Sequence, residues 1–121
     1  PIIILFLASC EGNTTRDWRV DNQSSTTIFV ESCLTGSIDT VVRILDPEVM
    51  KTITITSEEK GNSIPQEAYE VFTHFLIFNI TDTIDKNFTK NENWDIYIEH
   101  TKSNPDHFEM TYTVEVKNQD F

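Results

Sequence analysis

Three features of the sequence point to a mainly β domain, an antiparallel β-sandwich of about seven strands with one short helix near residues 65–73. Apolar residues mostly alternate with polar ones, which is the period of a half-buried strand rather than the 3.6 residues of a helix. The alternating runs are rich in Val, Ile, Thr and aromatic residues, which pack well on a pleated surface. Clusters of Asn, Asp, Ser, Gly and Pro break the runs at strand-length intervals. At 121 residues, the chain suits a single hydrophobic core.

Residues 2–8 are an unbroken apolar run, too short for the roughly 20 residues that a membrane-spanning helix needs. Residues 10–16 are polar, an ordinary loop or a tether, and the folded domain is expected over 17–121. Strands are expected over 17–21, 26–30, 38–44 and 51–56, separated by turn formers at 22–25, 32–37 and 46–48. Segment 63–80 departs from the alternation. Ser63 and Gln66 have capping-box spacing, Pro65 suits a first helical turn, and Ala68, Phe72, Phe75 and Leu76 fall on one helical stripe. The dense apolar run 75–80 then reads as a fully buried central strand, with long loops at 58–63 and 81–93.

The clearest alternation comes last. Trp94, Ile96 and Ile98 oppose Asp95, Tyr97 and Glu99, while Phe108, Met110, Tyr112, Val114 and Val116 oppose His107, Glu109, Thr111, Thr113, Glu115 and Lys117. Turn formers at 101–106, with Pro105 among them, join the two runs into an antiparallel hairpin. This hairpin, 93–117, is the expected structural spine.

Twenty Asp and Glu against nine Lys and Arg give a formal charge of -11. Phosphate backbones and anionic bilayers are held by Lys and Arg clusters, so this balance argues against nucleic acid as a partner. The N-terminal apolar run ends in Leu7-Ala8-Ser9-Cys10, where the hydrophobic region of a signal peptide would end. An ordinary signal peptidase needs small residues at the cleavage position and two before it. Cutting after Ser9 puts Leu7 at the second of these positions, and cutting after Ala8 puts Phe6 there. The four residues instead resemble the lipobox of bacterial lipoproteins, cleaved before a Cys whose thiol carries diacylglycerol. On that resemblance residues 1–9 are a signal-peptide remnant, and Cys10 is the lipidation site and membrane anchor. The alternative is a first buried strand at 2–7 with Cys10 as a core thiol. Lipidation would leave Cys33 as the other thiol, unpaired; without it, Cys10 and Cys33 are free to pair in an oxidising compartment. Cys33 closes an apolar run from Ile28 and reads as a small core residue rather than a nucleophile.

Together with this segment, Trp18-Arg-Val-Asp-Asn22, Asp39-Thr-Val-Val-Arg-Ile-Leu-Asp-Pro-Glu48 and the closing Tyr112-Thr-Val-Glu-Val-Lys-Asn-Gln-Asp-Phe121 resemble the small cell-envelope lipoproteins of the Bacteroidetes. The resemblance implies an immunoglobulin-like sandwich, lipid-anchored at the outer membrane on its periplasmic or surface side. It implies no catalytic residues and no cofactor.

His74, His100 and His107 lack the spacing that puts two zinc ligands on one element, although His100 and His107 flank the hairpin turn and are placed to face one another. Asp82, Asp85, Glu92 and Asp95 bracket a loop, without the alternate acids and fixed Gly of a calcium loop. There is no Gly-rich phosphate loop and no Gly-x-Ser-x-Gly elbow. Asp39-Thr40-Val41 and Asp82-Thr83-Ile84 resemble the O-glycosylation signal of the Bacteroidetes. Thr83 falls in an expected loop and Thr40 in an expected strand. Trp18 and Trp94 are in register with core positions, which leaves Tyr97 as the expected exposed aromatic. The reading is a non-enzymatic envelope lipoprotein that presents its sandwich to a protein partner or serves as an accessory subunit. The alternative is a glycan-binding module of a surface polysaccharide system.

Overall fold

The computed structural model describes residues 11–121. The signal-peptide remnant at 1–9 and the lipidation site Cys10 lie outside the described residues. Seven strands follow in chain order: β1 (Asn13–Asn22), β2 (Ile28–Leu34), β3 (Val41–Leu45), β4 (Met50–Glu58), β5 (Phe72–Phe78), β6 (Asp95–Lys102) and β7 (His107–Val116). One helical turn, α1 (Ala68–Val71), precedes β5. The strands form two sheets, ordered β4-β1-β7-β6 and β3-β2-β5, as expected of a mainly β sandwich. Every pairing is antiparallel except β1 with β7, a parallel ladder running from Asn13 beside His107 to Asn22 beside Val116. The first strand is thereby inserted between the fourth and the last.

The period-2 pattern does what it should. Trp18, Val20, Met110, Tyr112, Val114 and Val116 of the larger sheet meet Ile28, Val30, Leu45, Phe72, Phe75 and Ile77 of the smaller one in a single core. At its centre Trp18 stacks on Tyr112, its neighbour across the parallel ladder, with ring centroids 3.7 Å apart. Phe72 and Trp94 meet Trp18 edge-on at 5.5 and 5.1 Å. Edge-on aromatic pairs of this kind add about 0.5–1.5 kcal/mol beyond their buried area.

Several boundaries differ from expectation, each for a local reason. Part of the segment expected as a tether over 10–16 is strand: β1 begins at Asn13 and buries Thr14 and Arg16. The Thr14 hydroxyl donates to the Lys60 carbonyl at 2.7 Å and accepts from the Asn62 N–H at 2.8 Å, so a polar residue is satisfied inside. Gly12, at φ 76°, lies so close to the Asp106 carbonyl that a Cβ would come within 1.9 Å of it. The capping box at Ser63 and Gln66 does not form. The helix starts after Glu67, and the Ala68 N–H donates to Asn91 Oδ1 at 2.7 Å.

The strand expected over 38–44 is Val41–Leu45, so Thr40 lies in the loop before it, not in a strand. Gly36 turns the chain at φ 85°, and Ile38 is 97% exposed. β5 is not a central strand. It ends the sheet order, burying Phe72, Phe75 and Ile77 while Thr73, His74, Leu76 and Phe78 face outward. Cys33 is not a core residue either. It shares the outer side of β2 with Phe29 and Glu31, and its thiol donates to the Ser37 carbonyl at 3.3 Å.

The final hairpin forms in the expected register, with Ile96 opposite Tyr112 and Ile98 opposite Met110. Its outer strand β6 lifts from the core along its length: Trp94, just before it, is buried, Ile96 partly so, and Ile98 is exposed. Phe108 is half-buried and stacks on His100 at 4.5 Å. The spine is therefore the central pair β1–β7 rather than the hairpin.

Candidate contact face

The two registers of β2 fix what the smaller sheet shows to its outside. Ile44, Phe29 and Phe78 form one row across β3, β2 and β5; Val42, Glu31 and Leu76 form the next; Cys33 and His74 form a third. Inward rows take the alternate positions, such as Leu45 beside Ile28 and Val30 beside Ile77. Because β2, β3 and β5 carry consecutive apolar residues, both sides of this sheet are apolar. Phe29 and Phe78 stack with centroids 5.4 Å apart. Val42 and Ile44 are 49% and 56% exposed. The polar exception is a hydrogen-bonded contact in the middle, between Glu31 Oε2 and His74 Nε2 at 2.6 Å.

The other outer face has different chemistry. Asp17, Arg19, Glu109, Thr111, Thr113 and Glu115 project from β1 and β7, with Asp17 pairing Arg19 at 2.8 Å and accepting from Thr52 at 2.9 Å. The Asp17 hydrogen bond holds the Arg19 guanidinium further above its ordinary pKa. Large contiguous apolar patches are uncommon on the surface of small domains, while a mixed polar face is ordinary solvated sheet.

The edges of the apolar sheet are blunted, which leaves its face as the available surface. Lys51 Nζ donates to the Ile44 carbonyl at 3.0 Å on β3. Beyond β5, Thr83 bridges Phe78 and the Ile84 N–H donates to the Ile77 carbonyl at 2.9 Å. Acidic residues edge the face: Asp39 and Asp46 flank β3, and Asp82 and Asp85 follow β5. Thr40 and Thr83 are both exposed, Thr40 in the loop before β3 and Thr83 in the loop after β5.

The other residues singled out from sequence are dispersed. His100 and His107 do not face one another: His100 contacts Asp106 at 2.9 Å, and His107 contacts Asn13. Among the described residues no group of three His, Cys, Asp or Glu side chains gathers, so Asp82, Asp85, Glu92 and Asp95 do not converge. Trp18 and Trp94 are core, and Tyr97 is 66% exposed. No helix among the described residues is long and apolar enough to cross a membrane. Sequence reasoning missed the outer apolar rows. The signal available was contiguity, in Ile28-Phe-Val30, Val41-Val42 and Phe75-Leu-Ile-Phe78, which exceeds what a one-sided strand needs. Comparison with protein-family models, with curated proteins and with solved structures finds no match for the chain.

Proposed function

We propose that the chain is a non-enzymatic, lipid-anchored cell-envelope protein of the Bacteroidetes type that presents the outer face of β3-β2-β5 to a partner protein. The observation that carries this reading is the apolar double row Ile44, Phe29, Phe78 and Val42, Leu76 on a sheet whose edges are blunted. The Leu7-Ala8-Ser9-Cys10 segment supports the anchor. With β1 starting at Asn13, Cys10 is three residues from the sheet in sequence, a reach of at most about 10 Å. An anchor there holds the domain close to the bilayer. The acidic edge at Asp39, Asp46, Asp82 and Asp85 calls for a partner whose apolar patch is bordered by Lys or Arg.

Photo-crosslinking in the native host tests the reading. A photoreactive side chain at Ile44 or Leu76 is expected to yield one discrete crosslinked protein, and the same group at Glu109 on the opposite face is expected to yield none. Equal crosslinking from both faces, or none from Ile44 and Leu76, would overturn it.

A further inference from the structure

At the N-terminal end of β1, Arg16 lies on the inner side of its sheet beneath the loop that follows β4, and it is 4% exposed. Its Nη1 donates to Glu58 Oε2 at 3.2 Å and its Nη2 to the Ile64 carbonyl at 3.0 Å. Its Nε is buried with no partner. A pocket of about 420 Å³ opens beside it, with Thr56, Glu58, Asn62, Gln66 and Glu70 in its walls. That volume falls in the range of about 300–1,000 Å³ typical of small-ligand sites. Thr56 donates to Gln66 Oε1 at 3.0 Å, which leaves the Gln66 amide N–H groups as donors. Ile64 and Pro65 supply an apolar wall.

The charges decide the ligand. One guanidinium stands against two carboxylates, Glu58 and Glu70, so an anion meets net repulsion in a chain already at -11. A cation finds Glu58 already paired with Arg16 at 3.2 Å, which leaves it only the exposed Glu70 carboxylate. A neutral ligand with neighbouring hydroxyls satisfies both kinds of group, donating to the carboxylates and accepting from Arg16, Asn62 and Gln66, while its C–H surface lies against Ile64 and Pro65. We infer that this pocket, remote in sequence from the apolar rows of β3-β2-β5, binds a neutral polyhydroxylated ligand such as a glycan end.

Titration of the ¹⁵N-labelled protein with maltose, cellobiose, xylobiose and lactose, with galacturonate as the anionic control, tests this by amide chemical shifts. The expected result is saturable shifts at residues 14–16, 56–58 and 62–70 with at least one neutral disaccharide, and none with galacturonate. Removing Arg16 threatens the fold, so the discriminating variants are Glu58→Gln and Glu70→Ala, with a dispersed spectrum as the check of folding. Each is expected to weaken binding about tenfold, the loss of one charge-assisted hydrogen bond. The inference is overturned if no neutral sugar shifts these amides at concentrations covering millimolar affinity. It is equally overturned if galacturonate binds as well as the neutral sugars, or if both variants bind like the parent.

Discussion

Trp18 and Trp94 belong to one aromatic cluster, yet their indole N–H groups meet different surroundings. Trp94 Nε1 donates to the Phe88 carbonyl at 2.7 Å, while Trp18 Nε1 is buried without a partner. Replacing either by Phe removes the same volume, but only Trp94→Phe strands a buried carbonyl. Urea melts are expected to show Trp94→Phe less stable than Trp18→Phe by about 1 kcal/mol. Tyr112 supplies a second test at this scale. Burial is the main cause that pushes its phenol pKa above the ordinary value of 10.0, against the smaller opposing influence of the Gln66 backbone and the Arg16 charge. The folded state therefore favours the neutral phenol, so this stabilisation is present below about pH 10 and is lost as pH rises past it. The urea midpoint of the parent is expected to fall as pH rises past about 10, and that of Tyr112→Phe, which cannot ionise, is expected to fall less steeply.

β7 lies between β1 and β6, and its alternation settles which side chains the core needs. Met110 is 1% exposed, Glu109 faces solvent and Phe108 is half-buried at the strand's beginning. Met110→Ala is expected to cost about 2–5 kcal/mol, Glu109→Ala to stay within about 0.5 kcal/mol of the parent, and Phe108→Ala to fall between them. A one-residue slip in register would exchange the first two results, so denaturant melts of the three variants read the register directly. β7 and its pairing with β6 were legible in the sequence because one side is apolar and the other polar. The first residues of β1 were not, since Thr14 and Arg16 look solvated and find their hydrogen-bond partners in Glu58 and in backbone groups of Lys60, Asn62 and Ile64 that are far away in sequence. β3 and β5 were read only in part. Where both sides of a strand are apolar, the period carries no information about which side is inside, and sheet edges are set by pairings that periodicity does not encode. That is also why the outer rows through Phe29, Ile44 and Phe78 escaped notice, whereas Thr83 in its loop did not.

Across the whole molecule the two outer faces differ in chemistry: the β1–β7 side is charged, the β3-β2-β5 side is apolar, and the Gly61 N–H donates to the Glu11 carbonyl at 2.9 Å at the start of the described residues. On the proposed anchor, Cys10→Ala in the native host is expected to remove the mass of the diacyl group and to leave residues 1–9 uncleaved, without changing the urea midpoint of the domain. The contact face has its own separable prediction. Val42 and Ile44 lie on an edge strand with about half of each side chain's surface already in water, so charging them costs the core little.

The most direct measurement is therefore the double variant Val42→Lys/Ile44→Lys, assayed for stability by urea melt and for its native complex by size in gentle membrane extracts. The expected result is an unfolding free energy within about 1 kcal/mol of the parent together with loss of the proposed complex, because Lys side chains break an apolar contact and leave the fold intact. A stable variant that still migrates with its partner would contradict the assignment of this face.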